Sequence, residues 1–464
     1  MRSPREEGTA ETAESAENTF LSAPSAVSSF VWLLRKEYRD LVSSRAWWVL
    51  LLAIGPLVGV TFVSAVRTYG ELSGLNGTAI GVGEAFSPLV GIWAPTFSAC
   101  EVAAVFLLPF VAIRLVSGDR QSGALKIEMQ HPLPAIARVA AKAVVLLGGW
   151  LVASLAPLAA VLLWKSYGGA VYTPELMTVL FGHVLNAGLT IALASAAAAL
   201  TEHPSTAAIL TLSVTVGTWI LNFTAAVQGG IWERIAGYTP PAMIAEFQHG
   251  LIRLDTVLIA VALVSTGFAF AALWLRIGTP VRRRIQESIL LVAIAVLMLT
   301  GGSAAGASWD LSENRMNSFP AADEQLLATI RAPLGIEVHL APEDPRRSDL
   351  DRKAIAKLRR VMPAVRVHYM SATSIGLFEQ TVPHYGEIWY ELGGRKAMSR
   401  ATTAESALET IYDLAGVKPP VEKDDELFRG HPLAVAPKGA AAVFYGIWPA
   451  AVVVSAFILR RKHT

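Results

Sequence analysis

Eight long stretches of uncharged, mostly apolar residues constrain this chain more than any other feature of its sequence. Each is about 20 residues long, the length that a helix needs to cross roughly 30 Å of hydrocarbon. Only 16% of the 464 residues are charged, against about 25% in a typical soluble domain. We therefore predict a polytopic α-helical membrane protein with spans at residues 46–66, 97–117, 139–164, 176–200, 206–227, 254–276, 286–306 and 440–459.

A short basic segment, residues 114–142, separates the second and third apolar stretches. Gly118, Gly123, Pro132 and Pro134 interrupt it, and it has no apolar stripe long enough to bury itself. A polar segment that is held at both ends by membrane spans suits the docking of a partner at the membrane face. We expect that partner to be a separate motor protein.

Lysine and arginine residues are concentrated at alternate loops, which assigns those loops to the cytoplasm. The cytoplasmic set is Arg35, Lys36, Arg39, Arg45, Arg114, Arg120, Lys126, Arg138, Lys142, Arg276, Arg282, Arg283, Arg284, Arg460, Arg461 and Lys462. Both termini are then cytoplasmic. Residues 1–30 lack the pattern of a cleaved signal peptide and are predicted to be a disordered cytoplasmic tail. Residues 31–45 predict an amphipathic helix lying in the membrane interface, with Trp32 and Tyr38 on its apolar side.

A polar insert, residues 307–438, lies between the seventh and eighth spans. By parity it is extracytoplasmic. Its alternating strands and amphipathic helices predict an α/β domain that begins with a parallel βαβ unit. The predicted strands are residues 335–341, 364–372 and a hairpin at 386–400 that turns at Gly393–Gly394, and the predicted helices are residues 320–330, 349–362 and 402–416.

Polar residues inside the spans are costly and invite a functional interpretation. Glu101, His183 and Asn186 are the candidate contacts for a transported substrate or proton. The alternatives are snorkelling to the interface and hydrogen bonds between helices.

Several activities find no support in the sequence. It contains no GxxxxGK[ST] phosphate-binding loop, no HExxH motif and no nucleophile elbow. Cys100 is the single cysteine, which excludes an internal disulfide. His339 and His368 lie in the two predicted βαβ strands, but no paired ligand spacing accompanies them, so no metal site is predicted. Neither an enzyme in the insert nor a secondary transporter with inverted repeats is supported.

The first half of the chain resembles the ABC-2-type exporter permeases over about residues 30–276. In residues 114–142, the resemblance to that family's cytoplasmic loop rests on Ser117, Arg120, Gly123, Ala124, Leu125, Pro132 and Lys142. Gln121 stands where the family often has an acidic residue. Residues 200–214 resemble the family's inside turn between spans four and five. Residues 238–260 resemble its outer segment, through Phe247, Gly250 and Asp255.

The second half resembles the auxiliary subunits of gliding-motility-type ABC systems. The resemblance lies in residues 309–344, at Asp310, Leu311, Ser312, Phe319, Pro320 and Pro333. The chain thus looks like a fusion of two subunits. Its predicted parts are a tail (1–30), a six-span permease domain (31–276), span seven (277–306), the insert (307–438), and span eight with a basic tail (439–464).

The resemblance implies a permease subunit that couples a cytoplasmic ABC ATPase, in two copies, to export across a bacterial inner membrane. ATP and Mg would be bound by the ATPase, so that this chain is not an enzyme and carries no cofactor. The expected docking residues are Arg120, Gly123, Ala124, Leu125, Lys126, Glu202 and His203. Both a homodimer and a pair with a second permease fit, with membrane lipid and an envelope partner as further contacts and no nucleic acid. The alternative is an ATPase-driven scaffold that recruits or pulls on an envelope partner and exports nothing.

Overall fold

The computed structural model describes residues 27–72, 87–128, 133–228, 231–303, 305–313, 315–341, 344–362, 364–370, 384–420 and 437–463. The predicted tail at residues 1–30 falls almost entirely outside them, as does most of the Pro-rich connector after the α/β insert.

Within the described residues, eight helices are long and apolar enough to cross a membrane, as the sequence predicted, and the chain is a multi-pass helical membrane protein. Spans 1 to 8 are Arg45–Leu72, Leu89–Ser122, Ala135–Ser166, Thr173–Leu200, Pro204–Ala225, Leu254–Trp274, Val281–Gly302 and Ala440–Arg461. Spans 6 and 7 end a few residues before their predicted ends. Span 7 stops because two consecutive glycines, Gly301 and Gly302, favour the end of a helix. Span 7 also starts earlier than predicted, since Pro280 caps it and the arginines that follow are helical.

Shorter helices flank the spans. The first is α1, residues 27–43, immediately before span 1. The others are α2 (Ala124–Glu128), α3 (Ile231–Ala236), α4 (Pro240–Gln248), α5 (Ala321–Thr329), α6 (Pro345–Leu350), α7 (Ala356–Val361) and α8 (Ala404–Ala415). A π-helical turn, Asp351–Ile355, joins α6 to α7.

One continuous apolar core joins spans 1 to 4. Aromatic side chains fill it, with Trp93 of span 2 packed 5.8 Å from Trp164 of span 3 and 6.5 Å from Phe62 of span 1, between ring centroids. Spans 5, 7 and 8 lie at the periphery and leave most of their apolar side chains exposed. A helix that is apolar all round and exposed in one chain faces lipid or a second protein.

Span 8 packs against span 1 through two glycines. A Cβ atom at Gly59 would lie 2.5 Å from the Cβ of Phe444, and one at Gly55 would overlap the ring of Trp448. The Trp448 indole also donates a hydrogen bond of 2.7 Å to the carbonyl of Leu51. Gly55 and Gly59 lie on either side of Pro56 in span 1. They mark a contact, because only glycine leaves room for the two rings.

The insert contains a four-stranded mixed sheet of order β4-β3-β5-β6. Its strands are β3 (Leu334–Val338), β4 (Val365–Tyr369), β5 (Ile388–Leu392) and β6 (Arg395–Ser399). The predicted parallel pair and hairpin are confirmed, and both turn glycines of the hairpin have positive φ. Alternate residues of β3 and β5 are buried under the helices, which gives the insert a core of its own. Helix α8 begins at the Thr403 cap and ends at the left-handed Gly416, as predicted.

A small antiparallel ribbon that the sequence did not predict fastens the insert to the spans. Strand β1 (Leu251–Arg253), just before span 6, pairs with β2 (Ser308–Asp310), just after span 7. The Asp310 carboxylate accepts hydrogen bonds from the backbone and side chain of both Ser312 and Asn317. A strand of three residues is too short to show an alternation of apolar and polar residues, so the sequence does not reveal it.

Candidate docking face

The segment between spans 2 and 3 folds back across the end of the bundle. Span 2 ends at Ser122, and Gly123 follows with φ of 75°, the left-handed conformation that glycine adopts without strain. Helix α2 then begins at Ala124. The chain is described again from residue 133, where Pro134 caps span 3.

Five charged side chains meet beneath this segment, and we call them the charge cluster. They come from α1, the last turns of span 2, α2 and the first turns of span 3: Lys36, Glu37, Asp119, Glu128 and Lys142. Glu37 is fully buried, and Asp119, Glu128 and Lys142 are each at most 6% exposed. Four separate chain segments are therefore joined by charges that water barely reaches.

Each lysine of the charge cluster bridges several segments. The Lys36 Nζ lies 2.6 Å from Asp119 Oδ1 and 2.5 Å from Glu128 Oε1, which joins α1 to span 2 and α2. The Lys142 Nζ lies 2.7 Å from Glu37 Oε1 and also pairs with Asp119 Oδ2. It donates a third bond, of 3.2 Å, to the carbonyl of Leu115. All three donor positions of the Lys142 ammonium are thus used inside the protein.

The charge cluster holds three carboxylates and two ammonium groups. One ligand oxygen from each carboxylate can be chosen so that all three lie within 4.8 Å of one another, a spacing that would suit a metal ion. The two ammonium groups already lie against these oxygens, however, and act as their counter-ions. Burial raises the pKa of Glu37, against the lowering effect of Lys142 and Lys36.

Helix α1 buries part of its predicted apolar side, and Glu37 together with it. Leu33, Glu37 and Leu41 form its buried stripe at four-residue spacing, while Trp32 and Tyr38 are nearly half exposed. The prediction placed Arg35, Lys36, Arg39 and Asp40 on the polar side of the helix and did not single out Glu37. The available signal was an acidic residue placed four positions from a leucine on either side.

Arg120 links the docking segment to the turn between spans 4 and 5. Its guanidinium donates to the carbonyls of Ala198, Ala199 and Thr201 at 3.3, 3.0 and 3.0 Å, where span 4 ends. These carbonyls lack helical partners, and an arginine at a helix C-terminus stabilises them. The two stretches that the sequence named separately as docking elements are thereby joined. Exposed Glu202 and His203 follow directly.

A cleft of about 220 Å³ opens beside this contact, lined by Arg120, Gly123 and Leu125 on one side and by Arg276 and Arg284 on the other. Ala124 and Leu125 are half-buried. Lys126 lies in α2, and its side chain is outside the described residues. We use the name docking face for the surface formed by residues 120–125, the 201–203 turn and Arg276.

The candidate pathway residues lie apart from the docking face. His183 and Asn186 of span 4 are only 2% and 3% exposed, and the ring nitrogens of His183 have no hydrogen-bond partner among the described residues. The His183 ring packs 5.5 Å from the ring of Phe97. Glu101, one turn further along span 2, is partly exposed. Water does not reach the two span 4 side chains within one copy of the chain.

The two strand histidines named from the sequence, His339 and His368, do not lie opposite each other in the sheet. His339 follows the end of β3, and its ring lies 6.1 Å from that of His384. His368 instead stands opposite Glu337, two residues before His339, so the register of the parallel pair keeps the two histidines from lying opposite each other. His384 pairs with Glu387 at 2.9 Å.

Comparisons with protein family models, with curated proteins and with solved structures found no match for this chain.

Proposed function

We propose that this chain is the membrane permease subunit of an ATP-driven exporter of the ABC-2 type, worked by a separate cytoplasmic ATPase. The observation that carries the proposal is the docking face together with the charge cluster beneath it. The sequence contains no phosphate-binding loop of its own, so ATP and Mg belong to the partner. Export, the ATPase and the inner-membrane location rest on the resemblance of residues 114–142 and 238–260 described above.

The charge cluster suits the transmission of force. Lys36 and Lys142 tie α1, span 2, α2 and span 3 into one unit, and Arg120 extends it to the end of span 4. A force that the ATPase exerts on α2 is therefore transmitted through side-chain contacts to the ends of spans 2, 3 and 4. Rigid elements of this kind convert the closure of a motor into a rearrangement of helices.

We infer an orientation with the docking face and both termini in the cytoplasm and the α/β insert on the opposite side. The support is the excess of lysine and arginine at the docking end. Arg276 and the run at residues 282–284 stand beside the docking face. In this orientation the insert would receive or hand on the cargo.

The transport path in this proposal runs between two copies, or between this chain and a second permease. The interior of spans 1 to 4 is a closed apolar core, whereas spans 5, 7 and 8 present exposed apolar faces. The partly exposed Glu101 is the candidate contact at such a path. The scarcity of charge in the spans suits a lipid-like or hydrophobic cargo.

Co-purification tests the proposal. The chain is expressed with each ABC ATPase encoded near its gene, and we expect a detergent-stable complex with ATPase activity. The paired substitution Ser122→Arg and Glu202→Arg changes two exposed positions of the docking face and should abolish the complex. The matched control, Ser166→Arg and Tyr172→Arg, adds two arginines at exposed positions on the other end of the bundle and should preserve it. Failure of every ATPase to bind would refute the docking function.

One observation favours the second candidate, a scaffold that moves no cargo. His183 and Asn186 are sealed from water, so the single chain offers no polar path. If the ATPase complex forms but neither hydrophobic nor lipid-like compounds change its ATPase rate in proteoliposomes, the scaffold is the better description.

A further inference from the structure

A second basic site lies at the other end of spans 6 and 7, where the insert meets them. A cleft of about 1090 Å³ opens between the β1–β2 ribbon with the end of α4 on one side and the α6–α7 region on the other. Its lining includes His249, Arg253, Lys357, Arg359 and Arg360. The cleft has the size of a small-molecule site rather than of a single ion.

Asp310 and Glu324 act on Lys357 and Arg360 electrostatically, but they form no ion pair with them in the described part of the chain. Arg253 is neutralised by Glu246 at 2.9 Å and by Asp255. Among the described residues, by contrast, no ion pair involves Lys357, Arg359 or Arg360. Lys357 donates only to the carbonyl of Ser318, at 3.0 Å.

Arg360 is the clearest case of a cation that lacks a hydrogen-bond acceptor. Its Nη2 atom is buried and has no hydrogen-bond partner among the described residues. A buried guanidinium nitrogen without an acceptor is costly, and the cost is removed when an anion is bound. Burial lowers the pKa of Lys357, and the charge of Arg360 lowers it further. Burial likewise lowers the pKa of His249, with a contribution from Arg352.

The position of the cleft identifies where its ligand comes from. Asp255, in the first turn of span 6, and Ser303, directly after span 7, both line it. The cleft therefore opens at the level where two spans leave the hydrocarbon. Phospholipid phosphates lie at this level, and Arg and Lys side chains bind phosphate oxygens through charge-assisted hydrogen bonds.

We propose that this cleft binds a phosphate-ester anion, with Arg360 and Lys357 as its principal ligands. The binding needs no ATPase, and it stands whether the chain is an exporter or a scaffold. The phosphate could belong to a phospholipid head group or to a soluble phosphate ester, and the probes below distinguish the two.

The test is thermal unfolding of the full chain in an uncharged detergent. The probes are dioctanoyl phosphatidylglycerol, glycerol phosphate as the soluble ester, and dioctanoylglycerol as a lipid without phosphate. We expect phosphatidylglycerol to raise the unfolding midpoint and dioctanoylglycerol to leave it unchanged. The paired substitution Lys357→Gln and Arg360→Gln should weaken the apparent affinity at least about tenfold, since charge-assisted hydrogen bonds are lost.

The control removes the same charge elsewhere in the insert. Arg331→Gln with Arg366→Gln changes two exposed arginines that do not line the cleft and should leave the affinity unchanged. The single variant Arg360→Gln replaces the pair if the pair does not fold. A response to phosphatidylglycerol alone assigns a lipid, and an equal response to glycerol phosphate assigns a soluble ester. No response to either, or equal affinity in the Lys357/Arg360 variant and the native chain, overturns the proposal.

Discussion

At the scale of single residues, the charge cluster is not electrically balanced, because it holds two lysines and three carboxylates. The carboxylates exceed the ammonium groups by one, and burial raises the pKa of Glu37. Loss of a lysine leaves buried negative charge unpaired, whereas loss of the Glu37 charge leaves two buried carboxylates facing two lysines, with the exposed carboxylate of Asp40 as a further partner of Lys36. A buried ion pair costs little to neutralise as a whole but much to break on one side.

We therefore expect two substitutions in the same contact to change the free energy of unfolding by very different amounts. Lys142→Met should lower the free energy of unfolding by about 3–5 kcal/mol, because Asp119 and Glu37 lose their shared counter-ion. Glu37→Gln should change it by less than about 1 kcal/mol, since it keeps the shape and removes the excess charge. Unfolding in mixed detergent micelles with increasing dodecyl sulfate measures both. Equal losses in the two variants would contradict this charge balance.

At the scale of elements, the contact between spans 1 and 8 depends on the absence of side chains at Gly55 and Gly59. Helices in a membrane gain little from the hydrophobic effect when they associate, so close packing holds them together. The indole hydrogen bond from Trp448 to Leu51 adds a directional contact. Span 8 is thus held against span 1 by the complementary shapes of the two contacting surfaces.

Gly59→Leu should lower the free energy of unfolding by about 1–3 kcal/mol, because its side chain overlaps Phe444. Phe444→Ala in the same chain should restore most of the loss by making room. Gly148→Leu in span 3 is the control, since no atom lies within 4 Å of the added Cβ. The same unfolding titration reads all three variants. If Gly148→Leu lowers the free energy of unfolding as much as Gly59→Leu does, a larger side chain in any span is harmful. That result would refute a specific close contact between spans 1 and 8.

At the scale of the whole molecule, two basic surfaces lie at opposite ends of spans 6 and 7. One is the docking face with Arg276, and the other is the cleft between the β1–β2 ribbon and α7, which we propose to bind a phosphate ester. The β1–β2 ribbon clamps the insert to the spans at the second surface. A shift of spans 6 and 7 would thus be felt by the insert through the ribbon.

The proposed orientation predicts opposite labelling of two engineered cysteines in a Cys100→Ala background. Ser122→Cys, on the docking face, should react with a membrane-impermeant maleimide only after bacterial cells are permeabilised. Glu405→Cys, exposed on the insert, should react in cells whose inner membrane is intact. The reverse pattern would place the docking face outside and exclude a cytoplasmic ATPase as its partner.

The sequence by itself determined the number and positions of the spans, the parallel pair and the hairpin of the insert. Apolar length and two-residue alternation are local properties, and each can be recognised within a few turns of chain. The sequence also marked Arg120 and the 201–203 turn as docking residues, although it did not indicate that they touch.

Only the tertiary structure revealed the charge cluster, the ribbon and the cleft between the ribbon and α7. Glu37 and Lys142 are separated by 105 positions in the sequence. The cost of burying Lys142 is offset by Glu37 and Asp119, which come from other parts of the chain, so nothing local distinguishes Lys142 from a solvated lysine. Arg360 likewise looks like an ordinary surface arginine in the sequence, and only the fold places it across a cleft from the ribbon. Pairing between distant charges depends on how the whole chain folds, and for that reason it is absent from any window of the sequence.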